Sequence, residues 1–173
     1  IAHISLYQLT IEPGTEWGSM PEDELSDGYL PYRWAQWYLP LKGFGQYEIA
    51  NFAKYGHESR HNINYWKEGD YLGIGPGASG HIKGWRYKNI SGLSRYSGSL
   101  KKGASAIASG ERLKGSRRAS EAAVLALRMK QGIEMEAFAQ KYGSDEESRI
   151  IKLLEAFPED LYSVSGNRIS LTP

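Results

Sequence analysis

The chain has 173 residues, 40% of them hydrophobic, with 21 basic against 20 acidic side chains and a formal net charge of +1; it is long enough to bury a real core and too nearly neutral to grip polyanions with its whole surface. It contains no cysteine, which removes disulfides, iron–sulfur ligation, thiolate zinc sites and thiol nucleophiles and leaves His, Asp and Glu as ligand types. No apolar run reaches the ~18 residues of a membrane-spanning helix, so a soluble protein is expected, and the lack of both cysteines and a signal sequence favours a cytoplasmic one.

The opening residues, IAHISLYQL, carry no Met and no basic region, and read as a β-strand entered part-way through a longer polypeptide. Glu12-Pro13-Gly14-Thr15 then supplies turn chemistry. Between residues 30 and 41, Leu30, Trp34, Trp37, Tyr38 and Leu41 recur at helical spacing, with Pro31 near the first turn, Pro40 fraying the last and Gly43 beyond it. Residues 46–53, QYEIANFA, follow as a second strand, and strand, helix, strand predicts a parallel β/α unit. Residues 71–74 read as a third strand opening into a glycine loop, and residues 91–102 as a helix stopped by Gly103.

The α/β part is expected to end near residue 110, giving two domains, 1–110 and 111–173. The second reads as three helices: 116–131 with Val124, Leu125 and Leu127 inside, 135–142 stopped by Gly143, and a third opened by a Ser144/Glu147 capping box and faced by Ile150, Leu153, Leu154 and Phe157. Two short strands around Ser165-Gly166-Asn167 close the chain, an order that resembles a winged helix. The fold class is therefore α/β, or α+β taken as a whole.

Core packing explains residues 61–78, HNINYWKEGDYLGIGPGA, less well than any other stretch. His57-Glu58-Ser59-Arg60-His61 matches the H-E-x-x-H zinc signature, and His81 could be a third ligand; the flanking Gly56, Asn62 and Asn64 and the missing apolar stripe argue against the helix this needs. His61 has Tyr65 and Trp66 within a turn or strand step, so the two rings can wall a flat apolar ligand while Nε2 meets a metal or carboxylate; a hydrogen-bonded structural histidine is the alternative. Gly73-Ile74-Gly75-Pro76-Gly77-Ala78 fits G-x-G-x-x-A, but Pro76 donates no N–H and residues 71–110 hold no acid for a ribose. A glycine-lined wall of another pocket or a structural turn remain. The same acid-free interval carries Lys83, Arg86, Lys88, Arg95, Lys101 and Lys102 among Trp85, Tyr87 and Tyr96, a mixture able to bind carboxylates, phosphates or single-stranded nucleic acid, or to be a solvated face.

Taken together, ISLYQLTIEPGT, QYEIANFA, GHESRHNINYW and GDYLGIGPGA resemble the second half of the oxygen-independent coproporphyrinogen III oxidase-like radical SAM family, from residue 3 to about 173. His61-Asn62-x-x-Tyr65-Trp66 matches the HNxxYW motif of its HemW branch, the heme chaperones. The resemblance implies a partial (β/α) barrel with a [4Fe–4S] cluster and S-adenosylmethionine, then a small helical domain; this chain would supply the last barrel strands and that domain. It makes His61 the expected heme contact and iron ligand, with Asn62, Tyr65, Trp66 and Arg86 around the heme or porphyrinogen, and lets Lys83, Arg86 and Lys88 pair its propionates. Glu48, Asn51, Gly73, Gly75, Gly77 and Ala78 would line the S-adenosylmethionine or heme pocket. The CxxxCxxC motif is absent, so radical chemistry by this piece alone is not expected. The expected function is heme binding and delivery to an acceptor protein. The alternatives are oxidative decarboxylation of coproporphyrinogen propionates, a winged-helix nucleic-acid module, and a zinc peptidase. Acidic Asp145, Glu146, Glu147 and Glu155 on the would-be recognition helix count against nucleic acid.

Overall fold

The computed structural model describes residues 1–9, 11–19 and 29–172, which fall into two compact units, Ile1–Ser59 and Arg60–Pro173. Among the described residues no helix is long and apolar enough to cross a membrane. Helix and sheet are mixed in both units, as the α/β pattern predicts, but every paired strand among the described residues is antiparallel.

In the first unit β1 (His3–Ser5) is followed by α1 (Tyr29–Leu41), β2 (Gly45–Glu48) and β3 (Asn51–Ala53), in sheet order β1-β3-β2. The expected parallel β/α unit does not form, because residues 46–53 are a hairpin and not one strand: Gly45 faces Ala53, Glu48 faces Asn51, and β3 inserts between β1 and β2. The turn has neither Gly nor Pro to announce it; the Glu48 carboxylate makes it instead, its Oε1 accepting the Ala50 N–H at 3.0 Å and the Asn51 side-chain amide. Phe52 on the central strand is fully buried. α1 lies where the spacing predicts, and Gly43 beyond it takes a φ of +79°. Its apolar stripe, however, faces outward: Leu30, Trp34, Trp37 and Leu41 are more than half exposed, and Ala35 is the residue it buries.

The second unit begins with α2 (Arg60–Trp66), followed by β4 (Ser79–Ile82), β5 (Trp85–Asn89), α3 (Leu93–Lys101) and β6 (Ile107–Arg112), with sheet order β4-β5-β6. The strand expected at 71–74 is reduced to one bridge, Tyr71 to His81. The real hairpin lies in the stretch read as a glycine loop and basic surface, because Lys83 and Gly84 both adopt positive φ, +48° and +75°, and close a two-residue turn from Ile82 to Trp85. Asp70 Oδ1 accepts the Lys83 N–H at 2.7 Å and helps hold that unusual lysine conformation.

Thereafter come α4 (Gly115–Leu127), β7 (Ile133–Glu134), α5 (Met135–Tyr142), α6 (Ser144–Leu154), β8 (Tyr162–Ser165) and β9 (Arg168–Leu171). The three helices and final hairpin match the sequence pattern, with Gly166 at φ +57° in the turn. β7 adds an unforeseen edge strand, giving the order β7-β9-β8. Ala119, Ala122, Ala123, Ile133, Met135, Phe138, Ile150 and Ile169 form one core. Alanines carry the α4 side of it and Val124 is 64% exposed, so the helix approaches closely on its small-residue face. The Ser144 capping box does not form either: Gly143, at φ +99°, ends α5 and caps α6, which puts Ser144 inside the helix. Asp145, Glu146 and Glu147 in its first turn instead complement the helix dipole.

Candidate functional site

α2 is seven residues long and ends abruptly: the Gly69 N–H returns to Asn64 O at 2.8 Å, Asn64 Nδ2 donates to Asp70 O at 3.0 Å, and Glu68 turns left-handed at φ +54°. His61 and Tyr65, one helical turn apart, share a face, and their rings meet edge-on with centroids 4.6 Å apart. Tyr65 meets Tyr71 edge-on at 4.3 Å, and Tyr71 lies 6.1 Å from His81, its backbone bonded both ways to His81 at 2.7 and 2.9 Å. His61 is exposed, and neither of its ring nitrogens has a hydrogen-bond partner among the described residues. His81 Nδ1 lies 3.1 Å from the Gly69 carbonyl, an acceptor, so Nδ1–H is the donor of that bond.

A hollow of about 310 Å³ is lined by Tyr65, Trp66, Tyr71, His81, Arg86 and Leu125 together with Glu68 and Glu121; His61 touches its Tyr65 wall and is not itself part of the lining. Burial, and after it the neighbouring Tyr65, pushes the Tyr71 phenol up and keeps it a donor. Trp66 lies tilted against Tyr65, centroids 6.5 Å apart; its ring sits under the Arg128 guanidinium at 4.3 Å, and its Nε1–H is buried without an acceptor among the described residues. Asn62 lies half-buried on the same helix. Arg86 reaches the hollow already engaged, Nε and Nη2 donating to Glu111 at 2.9 and 2.8 Å and Nη1 to Glu121 at 2.5 Å. A propionate would have to compete with two carboxylates for it.

Glu68 escaped the sequence reading. Its carboxylate receives Lys141 Nζ at 2.8 Å and the Tyr142 hydroxyl, with Arg118 Nε at 3.7 Å, so it fixes the end of α2 against α4 and α5. Burial works against its charge, but the hydrogen bonds from Lys141 and Tyr142 and the charges of Lys141 and Arg118 win, holding it below the usual carboxylate range.

Residues 73–78 precede strand β4, not a helix, so they are not a dinucleotide turn. Their amides are spent internally: Gly73 N–H on Tyr87 Oη, Gly75 N–H on Tyr96 Oη, Gly77 N–H on Ile90 O, and Ala78 N–H on Gly75 O. Buried Asn89 donates to the carbonyls of both Gly73 and Gly75 at 3.0 Å. A Cβ on Gly73 would meet Ser79 O at 2.4 Å, so close backbone approach alone calls for glycine there. Nor is the zinc signature helical: His57 lies in the loop before α2, and no three His, Asp or Glu side chains gather as a metal site among the described residues.

Glu48 and Asn51 belong to the first unit, both buried at 1% and 2% exposure. Ser5 Oγ donates to Asn51 Oδ1 at 2.5 Å and Asn51 donates to Glu48 Oε1, which leaves Glu48 Oε2 buried with no partner among the described residues.

Residues 115–173 match the family described as the HemN C-terminal domain. The heme chaperone HemW of Lactococcus lactis is 34% identical over 152 residues, covering 82% of this chain and 38% of that protein. The heme chaperone HemW of Escherichia coli is 46% identical over 82 residues, 46% of this chain and 22% of that protein. The Mycobacterium tuberculosis HemW is 30% identical over 178 residues, 99% of this chain and 44% of that protein. The solved coproporphyrinogen III oxidase (HemN) of Escherichia coli, a radical SAM enzyme, superposes with a TM-score of 0.75 over 99% of this chain and 44% of that one, at 16% identity, a likeness of fold. The chain thus spans less than half the length of these relatives. Motif, fold and relatives agree: the chain belongs to the oxygen-independent coproporphyrinogen III oxidase-like radical SAM family, in its HemW heme chaperone branch, and corresponds to the C-terminal portion of those proteins.

Proposed function

We propose that this chain carries the heme-binding face of a HemW-type chaperone, which holds heme and passes it to an acceptor protein. One observation carries the reading: His61 presents to solvent an imidazole with no hydrogen-bond partner among the described residues and meets edge-on Tyr65, a wall of the hollow that Trp66 and Tyr71 also line. These residues fit the group, since heme iron takes a neutral imidazole nitrogen and the macrocycle packs on aromatic rings. Bound heme would supply the iron that His61 Nε2 ligates; Tyr65 orients the imidazole by its edge contact. Asn62 sits on the same turn of α2.

S-adenosylmethionine and the cluster fit unevenly. Glu48 Oε2, a buried acceptor without a donor among the described residues, is suited to an ammonium group, and Asn51 holds that carboxylate in place. For the cluster this chain offers no thiolate, so its ligands would come from other residues of a longer protein. The same reading takes the first part of the chain as the last strands of a partial barrel and residues 111–173 as a winged-helix-like domain. It gives that domain no nucleic-acid role, because α6 opens with Asp145, Glu146 and Glu147. A cytoplasmic location belongs to the proposal too, supported by the cysteine-free composition.

Titration with hemin tests it. The wild-type chain is expected to shift the Soret band saturably and His61→Ala to lose the shift; an unchanged shift in the variant would remove His61 from the site. Porphyrinogen turnover by a cluster-loaded longer protein, without heme transfer, would favour the oxidase alternative.

A further inference from the structure

The register of the β4-β5-β6 sheet places Lys88 of the central strand directly opposite Ser79 on one side and Ser109 on the other. Directly opposed residues of an antiparallel ladder share a face with their Cβ atoms about 4.5–5.5 Å apart. Lys88 therefore stands between two serine hydroxyls. The neighbouring row on that face, two residues along each strand, is His81, Arg86 and Glu111. Arg86 there is saturated by Glu111 and Glu121. Lys88 has no ion pair among the described residues, and neither serine hydroxyl has a hydrogen-bond partner among them. One cation and two hydroxyls, all three exposed, are thus three uncommitted donors on a single row.

That row borders a second hollow, of about 410 Å³, whose lining includes Ser79, Lys88 and Ser109. Tyr71 and Arg86 line both this hollow and the aromatic one beside α2. A space with an aromatic wall and a more polar one that carries Lys88 meet at Tyr71 and Arg86. A planar apolar ligand with carboxylate arms has that same division of chemistry.

We propose that Ser79, Lys88 and Ser109 form a carboxylate subsite that receives a propionate arm of the porphyrin, beside the aromatic hollow that receives its ring. The inference rests on the porphyrin reading of the site and assigns the propionate contact to Lys88 in place of Arg86. A compact ammonium ion suits this role, because it accepts a carboxylate from many directions while the flanking hydroxyls narrow the approach.

The test compares protoporphyrin IX with its dimethyl ester, each titrated against the 173-residue chain by quenching of porphyrin fluorescence. Lys88→Met, whose fold is checked by circular dichroism, is expected to weaken the free acid about tenfold and leave the ester unchanged. Ser79→Ala is expected to give a smaller loss of the same kind. Equal affinity of wild type and Lys88→Met for the free acid would overturn the subsite while leaving the porphyrin site standing. Equal loss for acid and ester would overturn it as well, since no carboxylate would then be involved. Failure of both porphyrins to bind the wild-type chain would overturn the subsite together with the site on which it rests.

Discussion

Removing Glu68 tests how the end of α2, and with it the candidate site, is held. The carboxylate is 10% exposed and accepts from Tyr142 and Lys141, with Arg118 close by. A hydrogen bond to a charged acceptor contributes about 1.5–3 kcal/mol. Lys141 and Arg118 are 48% and 40% exposed, so after solvent screening they add about 0.5–1 kcal/mol together. Glu68→Ala should therefore cost about 2–4 kcal/mol in urea unfolding followed by far-ultraviolet circular dichroism, and Tyr142→Phe, which removes the hydroxyl donor alone, about 1.5–3 kcal/mol. Backbone strain offers an internal control: Glu68 has a φ of +54°, so Glu68→Gly should be about 0.5–1 kcal/mol more stable than Glu68→Ala, net of the freedom glycine gains when unfolded. The pH dependence has a fixed sign. The folded carboxyl sits below its unfolded value, so its contribution is complete above about pH 4.3 and is lost as pH falls through the folded value. The stability gap between wild type and Glu68→Gln should close in acid. An alanine variant as stable as wild type, or a glycine variant less stable than the alanine one, would refute this reasoning.

Other substitutions probe the frame around the site. Asn89→Ala should cost about 1–3 kcal/mol by orphaning the Gly73 and Gly75 carbonyls, and should speed hydrogen exchange at the Gly75 and Gly77 amides; unchanged exchange would show that Asn89 does not hold the turn. Gly132 and Gly166 are both left-handed, at φ +64° and +57°, but a Cβ on Gly132 would meet Ile169 O at 2.0 Å whereas Gly166 faces open space. Gly166→Ala should cost about 1 kcal/mol and Gly132→Ala about 3 or more, read as urea midpoints; equal losses would contradict the packing of β9 on that glycine. Arg86→Met should lose about 0.5–1.5 kcal/mol, because its ion pairs are part-exposed, and a loss above about 4 kcal/mol would mean those pairs are far better shielded than their exposure indicates.

The second half of the fold was legible because its punctuation is local. Gly143 stops α5, Gly166 turns the last hairpin, and apolar residues mark the helices between. The β-hairpins near the site were not, for a physical reason in each case. Residues 46–53 alternate on both sides of a turn built by the Glu48 side chain, and nothing in the periodicity marks the reversal. The β4–β5 turn places a lysine at positive φ, where Asn or Gly is the usual signal. Of the site, His61 and Tyr65 were readable as neighbours in either a turn or a strand step, although the helix that joins them, Arg60–Trp66, was not expected because it carries no apolar stripe. Tyr71 and His81 join them through a single antiparallel bridge that no short-range pattern encodes. Glu68 looked like one more acid in a turn, and its role depends on α4 and α5, far along the chain.

The chain has four histidines, His3, His57, His61 and His81, so nuclear magnetic resonance of histidine-labelled protein can place a paramagnetic iron among them directly. Added hemin should broaden the ring signals of His61 first and completely, with the Tyr65 ring and His81 of the same unit following. Broadening that spares His61, or that reaches His81 before it, would contradict a heme site on α2.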